Sequence, residues 1–327
     1  MNAQIRTLTW VVGAGGLLGR AVVSAYAACD ADELWSLTEA IDWEHDNLAS
    51  EQLAAAVTRF LDVAAVRALS WRVFWCAGAG VVATDPERLE RETRLFRAFT
   101  MAMGRTIASS EVHRQMSGAV FLASSAGAVY GGSSARPPYD ELSPTGTRSA
   151  YGEQKLAQET LINECGEVNG LRVLIGRLSN LYGPNQNAAK PQGLVTHVGR
   201  AALKREPLQL YMPLDTIRDY ILANDAARLI RRSMDRLEAM GSASTVIRIM
   251  ASEAETSVAS ILAAWKSVLK RPPGVVMASS PVGRLQPPTL SFRSCVWPDL
   301  RIQPTPLPIG VHAVYAAQLE ELRMGRL

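Results

Sequence analysis

Tyr151 and Lys155 stand four residues apart in the run Ser149-Ala150-Tyr151-Gly152-Glu153-Gln154-Lys155, and Ser124 and Ser125 lie upstream. On a helix, positions four apart share a face. Both side chains then project into whatever cleft that helix borders. An ammonium beside a phenol favours the phenolate, so the pairing is expected to lower a pKa that starts near 10. A phenol tuned this way exchanges a proton with an alcohol or a carbonyl near neutral pH. A serine hydroxyl at the end of a neighbouring strand could hold the same oxygen. This is the chemistry of alcohol oxidation and ketone reduction, given a nearby hydride carrier. A Tyr-x-x-x-Lys spacing by itself marks only a solvated helix face, so the carrier must be sought elsewhere in the chain.

A dinucleotide site needs a strand, a glycine turn and a helix in that order. Thr7-Leu8-Thr9-Trp10-Val11-Val12 has the composition of a buried strand and runs into Gly13, Gly16 and Gly19, spaced G-x-x-G-x-x-G. The glycines suit a tight turn, close approach of backbone to a phosphate, and close packing of helix on strand. The following helix turns its free N–H groups and dipole towards a pyrophosphate.

The elements that carry these residues alternate. A second strand is expected at Leu34–Thr38, with Glu39 at the distance of an acid that takes adenosine ribose hydroxyls. Ala40–Trp43 reads as a short third strand meeting the adenine, and Asn47–Leu61 as an amphipathic helix. Trp71–Cys76 forms a fourth strand ending in Ala77-Gly78-Ala79-Gly80, small residues that let a ligand approach or simply make a tight turn. Asp85 caps a charged helix with Pro86 at its first position, running to about Met103 with Leu89, Phe96, Phe99 and Met103 as its apolar stripe. Ala119–Ala123 is a fifth strand that delivers Ser124 and Ser125. This order predicts an α/β chain with a Rossmann-like doubly wound parallel sheet. No Lys or Arg occurs from Ala21 to Thr58, which leaves Arg20 alone to hold a 2′-phosphate. NAD is therefore favoured as cofactor, with NADP left open.

Composition narrows the class. The 327 residues are 48% hydrophobic and 20% charged, with a formal charge of +3, values of an ordinary globular enzyme. Basic residues are scattered, so no nucleic-acid footprint is expected. Cys29, Cys76, Cys165 and Cys295 lie far apart, and four histidines show no ligand spacing, so neither disulfides nor a metal site is expected. No apolar run has the length of a membrane span, and the first apolar stretch enters the glycine turn rather than a cleavage site. A cytoplasmic location is expected.

The combination of glycine turn, strand-end serine and Tyr-x-x-x-Lys resembles the extended short-chain dehydrogenases/reductases, and within them the NAD-dependent epimerase/dehydratase family acting on nucleotide sugars. The resemblance rests on Val12–Gly19, Phe121–Gly131, Asp140–Pro144, Ser149–Leu156, Arg177–Pro184, Arg218-Asp219-Tyr220 and Thr305–Gly310. It implies a nucleotide-binding domain over 1–180, with 219–250 returning to it, and a smaller substrate-binding α/β domain over 181–218 and 251–327. It also implies a homodimer through the helices near Asp85 and Tyr151.

Carried over residue by residue, the resemblance makes Tyr151 the acid/base, has Lys155 hold the nicotinamide ribose, and makes Ser125 the catalytic hydroxyl with Ser124 in reserve. Leu17 and Leu18 offer backbone to the pyrophosphate, beside Gly13, Gly16 and Gly19. Asp42 and Trp43 match the adenine side, Ala77 and Gly78 the fourth-strand edge, and Leu178 the segment beside the nicotinamide. Asn180 and Arg218 match residues that bind the substrate diphosphate. Arg284 and Tyr211 are further substrate-side candidates.

Two departures from the family stand out. Its members often carry an asparagine where this chain reads Arg91-Glu92-Thr93-Arg94, and sugar 4,6-dehydratases place an Asp-Glu pair where this chain has Ala126-Gly127. With no carboxylate there to move a C5 proton, dehydration is disfavoured. The implied activity is nucleotide-sugar 4-epimerisation through a 4-keto intermediate. A 4-ketoreductase, a reductase of another small carbonyl compound and a non-catalytic nucleotide-binding member remain as alternatives.

Overall fold

The structure is a computed structural model of the chain. It describes residues 7–27, 32–67, 70–187, 193–278 and 287–326. In chain order the elements are β1 (Thr7–Val12), α1 (Leu17–Ala27), β2 (Asp32–Trp35), α2 (Asp46–Val66), β3 (Ser70–Trp75), α3 (Pro86–Ser109), α4 (Glu111–Gln115) and β4 (Gly118–Ser125). Next come α5 (Ala126–Tyr130), α6 (Ala150–Asn169), β5 (Arg172–Leu178), β6 (Asn180–Tyr182), α7 (Leu194–Lys204), β7 (Leu208–Leu210) and β8 (Ile217–Leu222). The remainder is α8 (Ala223–Ala239), β9 (Ser244–Met250), β10 (Glu255–Ser257), α9 (Val258–Leu269), β11 (Val275–Met277), β12 (Thr289–Leu290) and α10 (Leu307–Arg323).

Two compact units result. One comprises 1–125, 149–177 and 230–248, the other 126–148, 178–229 and 249–327. The first is built on a six-stranded sheet in the order β2-β1-β3-β4-β5-β9. The pairings of β1 with β2 and β3, and of β3 with β4, are parallel. The expected doubly wound α/β sheet is therefore present. Strand order reverses between β1 and β3, and in such sheets the crevice for ligands opens at the carboxyl ends flanking that reversal.

One face of this sheet packs on an aromatic core. Phe60 of α2 lies 5.6 Å from Trp10, 5.3 Å from Trp35 and 6.1 Å from Trp71, centroid to centroid. Trp75 meets Phe96 and Phe99 of α3 at 4.9 and 4.7 Å. Tilted and edge-on rings at these spacings add to the burial of a large apolar area. The stripe predicted for α3 is thus core, and Asp85 caps that helix by accepting from the Glu87 N–H, with Pro86 behind it.

The strand expected at Ala40–Trp43 does not form. That segment is coil, because Asp42 is engaged in turn chemistry. Its N–H donates to Gln52 at 2.7 Å, and its carboxylate accepts from the Glu44 N–H and meets His45, both at 2.9 Å. An aspartate that bonds backbone two residues on favours a turn over a strand. The second strand also lies earlier than expected, at Asp32–Trp35.

In the second unit, β8 pairs with β6 and β12 in parallel and with β10 antiparallel. A separate core joins Trp265 of α9 with Val195 and Val198 of α7 and Val311 and Val314 of α10.

The first half of α6 is seated in the first unit by polar contacts, and its second half by Ile162 and Cys165 in the apolar core. Glu159 is buried and accepts from the Ser124 hydroxyl at 2.5 Å, and its two oxygens take Arg177 Nε at 3.0 Å and Nη2 at 2.7 Å. A buried carboxylate is tolerated only with such partners. Glu159→Ala leaves Arg177 buried without its partner carboxylate. The expected cost is about 3–5 kcal/mol of stability, read from urea unfolding followed by circular dichroism.

Candidate active site

The glycine turn follows β1 directly. Gly13 has φ +85°, and a Cβ on it would lie 2.6 Å from the Ala77 nitrogen. A Cβ on Gly19 would lie 2.1 Å from the Gly13 oxygen. Both distances are closer than atoms can approach, so α1 and the β3 edge close on the turn only because those side chains are absent. The Cys76 N–H donates to the Val12 carbonyl at 2.9 Å, bringing the carboxyl ends of β1 and β3 together. Leu17 and Leu18 open α1, where the first N–H groups have no partner within the helix. This cradle of bare backbone and helix terminus fits the pyrophosphate of a dinucleotide.

Ser125 ends β4, and Tyr151 and Lys155 lie on the first turns of α6. Ser149 caps that helix by accepting from the Gly152 N–H, which fixes where its first turn begins. Lys155 is buried, and its Nζ donates to the Ala123 carbonyl at 3.2 Å and to Gln158 at 3.1 Å. That nitrogen lies 5.6 Å from the centroid of the Tyr151 ring. Of the two strand-end serines, Ser125 bonds the Tyr151 hydroxyl, while Ser124 is committed to Glu159.

The expected acidification of Tyr151 is reversed. Its pKa is pushed up to about 12, first by burial and then by the Glu92 carboxylate, with the Ser125 hydrogen bond opposing. Lys155 sits over the ring and spends its hydrogen bonds on Ala123 and Gln158, so desolvation and Glu92 prevail. Burial likewise pushes the Cys76 thiol up to about 12, with Lys155 opposing.

Glu92 is the residue that sequence reasoning passed over, having treated its segment only as a departure from a family pattern. It accepts from the Ala79 N–H at 2.8 Å and from Gln154 Nε2 at 3.2 Å. Its signal was present in the helical period, since position 92 falls on the stripe of Leu89 and Phe96. A carboxylate on a buried stripe calls for a partner.

The adenine-side candidates are arranged differently from one another. Glu39 is exposed in coil beyond β2. The carboxyl of Asp42 is held below its ordinary range, chiefly by its bond to His45. Trp43 is 39% exposed, meets Trp75 edge-on at 6.4 Å, and gives its carbonyl to Arg91. Ala77 and Gly78 form the β3 edge, Gly78 with φ +145°.

Four candidates among the described residues belong to the second unit. Leu178 is buried, and exposed Asn180 donates from Nδ2 to the Asp219 carbonyl at 3.0 Å. Tyr211 is exposed, and its hydroxyl donates to Gln209 at 2.6 Å. Arg218 is buried, with Nη1 on the carbonyls of Ile217 at 2.7 Å and Pro288 at 3.2 Å. Arg284 lies outside the described residues.

Comparison with known proteins agrees with this geometry. The model of the NAD dependent epimerase/dehydratase family matches residues 9–247. The chain belongs to that family. Among curated members, a probable dTDP-glucose 4,6-dehydratase of Sinorhizobium fredii is 33% identical over 102 residues, 31% of this chain and 28% of that protein. UDP-glucuronic acid decarboxylase 6 of Arabidopsis thaliana is 30% identical over 122 residues, 36% of this chain and 35% of that protein. The alignments thus span about a third of those relatives' lengths. Solved structures share the fold along nearly the whole chain. UDP-glucuronic acid 4-epimerase from Bacillus cereus, with UDP-glucuronic acid and NAD, aligns at TM-score 0.74 and 16% identity over 96% of this chain and 99% of that one. UDP-glucose 4-epimerase from Brucella ovis, with NAD, aligns at TM-score 0.75 and 20% identity over 95% and 98%.

For this family member, the turn yields a test. Gly19→Ala is expected to lower NAD affinity at least about tenfold and to cost about 1–3 kcal/mol of stability through the overpacked turn. Calorimetric titration with NAD and a thermal melt of the same preparation check both.

Proposed function

We propose that this protein is a nucleotide-sugar 4-epimerase that works through transient oxidation at C4. The observation that carries the reading is the grouping of Ser125, Tyr151 and Lys155 at the carboxyl edge of the sheet that also holds the glycine turn. Gly13, Gly16 and Gly19, with the start of α1, would hold NAD, which when bound would supply the hydride acceptor and donor. Tyr151 takes the proton of the C4 hydroxyl and gives it back to the 4-keto oxygen. Ser125 bonds the phenol oxygen and fixes where that proton is exchanged. Lys155, anchored on Ala123, holds its charge beside the ring and favours the phenolate during oxidation.

Ala126-Gly127 supports epimerisation over dehydration, because neither residue can abstract the C5 proton or assist loss of water. The solved epimerases named above hold NAD, and one of them UDP-glucuronic acid. Asn180, exposed and steadied by the Asp219 carbonyl, suits a substrate phosphate, and Arg218 adds a cation on β8, the strand paired with β6. A homodimer through α3 and α6 and a cytoplasmic location complete the proposal. Exposed Met101 and Val168 on those helices agree with such an interface.

The test uses purified protein with UDP-glucose or UDP-glucuronic acid, followed by proton NMR without added reductant. Interconversion of the C4 epimers is expected, and Tyr151→Phe should lower turnover by about 10²–10⁴-fold. Stoichiometric consumption of NADH or NADPH with a keto sugar, and no interconversion, would point to a reductase instead. Asn180→Ala is expected to raise KM for the nucleotide sugar about tenfold, with NAD affinity unchanged.

A further inference from the structure

The second unit carries an exposed surface that the reaction above does not use. It forms where the carboxyl ends of α7 and α9 meet the two-stranded sheet of β7 and β11. Arg271, just past α9, donates from Nη2 to the Ala202 carbonyl of α7 at 3.3 Å. β11 pairs with β7 in parallel, from Val275 opposite Leu208 to Met277 opposite Leu210. The Leu208 N–H also donates to the Gly274 carbonyl at 2.9 Å. A cleft of about 370 Å³ at the helix ends is lined by Arg205, Glu206, Leu269 and Arg271, among others. Helix ends and strand thus make one continuous patch.

Two properties coincide on it. Its charge is nearly all of one sign: Lys204, Arg205, Lys266, Lys270 and Arg271 are exposed, and Glu206 is the one acid across 200–206 and 266–278. Its apolar side chains face water, with Val275, Val276 and Met277 exposed by 37%, 52% and 56% at consecutive positions of β11. Successive strand residues point to opposite faces, so β11 is bare on both. Cations at a helix C-terminus complement its dipole, which gives Lys204 and Lys270 a local reason to be there. The dipole gives no reason for three apolar residues in water on an edge strand, an arrangement that folds avoid unless something covers it. The charges looked scattered along the chain because α7 and α9 are distant in sequence, and only folding gathers them.

We propose that this patch docks the protein on an anionic phospholipid surface, with the cations on the lipid headgroups and Val276 and Met277 at the boundary of the acyl chains. A membrane interface is negatively charged at its face and apolar just beneath, which matches cations set around an aliphatic strand. Nucleic acid would satisfy the cations and leave the aliphatic side chains without contact. Single strands also call for aromatic platforms, and none occurs across 200–206 or 266–278. None of the patch residues is assigned to cofactor or substrate, so docking leaves the site of the reaction as it is.

The test is co-sedimentation of the full-length protein with vesicles of phosphatidylcholine and phosphatidylserine, beside vesicles of phosphatidylcholine alone and double-stranded DNA. Binding is expected on the anionic vesicles and weakens as ionic strength rises. Each cation close to such a surface contributes about fivefold to partitioning, so Lys270→Asn with Arg271→Gln is expected to lower binding at least about tenfold. Asparagine tolerates the left-handed backbone that Lys270 adopts at φ 59°. Lys204→Gln with Lys266→Gln lies on ordinary helical backbone and covers the case in which the first pair misfolds. Val276→Ser with Met277→Ser is expected to weaken vesicle binding and leave its salt dependence unchanged. NAD affinity and the thermal melt stay at parent values in all three variants, which separates a lost surface from a lost fold. The proposal is overturned if the parent protein ignores anionic vesicles at low ionic strength, or if both charge variants sediment as the parent does. It is equally overturned if DNA is bound as tightly as the vesicles and the serine substitutions change neither.

Discussion

The arrangement of the site depends on a buried carboxylate. Glu159 has Ser124 on one oxygen and a two-point grip on Arg177, all within the interior of the first unit. The first turns of α6 face inward with polar residues, Gln154, Lys155, Gln158 and Glu159 all buried, while Ile162 and Cys165 further along join the apolar core. The seat of those first turns on β4 is therefore set by hydrogen bonds whose geometry is exacting. Directional bonds place a helix more narrowly than apolar contact does, because each loses strength steeply when its angle changes. The register that puts Tyr151 on Ser125 follows from that clamp, about two turns earlier on the same face.

A second constraint is steric. The sheet edge accepts a dinucleotide because Gly13 and Gly19 leave no Cβ where the turn, α1 and the β3 edge converge. Aromatic packing on the sheet face, centred on Phe60, Trp10, Trp71 and Trp75, keeps the strands that carry this edge in place. The chemistry and the core thus meet at β3. Trp75 is its last core residue, and Cys76 to Gly80 leads directly to the Glu92 carboxylate.

Charge balance around Tyr151 then decides what the phenol does. A phenol, an ammonium and a carboxylate in one desolvated space influence one another strongly, since the local medium screens them poorly. Burial penalises the phenolate first and Glu92 adds to it, while the Ser125 hydrogen bond opposes both. A site balanced in this way responds to any charge that enters it. That suits a residue that must take a proton in one half of a reaction and return it in the other.

The doubly wound sheet was legible in the sequence because its signals are local. Glycine spacing, apolar runs and the Asp85-Pro86 helix start each act through neighbouring residues. The same holds for Tyr151 and Lys155, which any helix places on one face. The sequence did not reveal that Asp42 would make a turn where a strand was expected, since its partners Gln52 and His45 compete with a ladder that leaves no local mark. Nor did it reveal the sign of the Tyr151 shift. Spacing showed an amine four residues from a phenol, but the hydroxyl's burial, the engagement of Lys155 by Ala123, and the arrival of Glu92 from a helix some sixty residues earlier exist only in three dimensions. Residue types and intervals determined which groups were available. Desolvation and long-range charge, which depend on everything packed around a group, were decided by the tertiary structure alone.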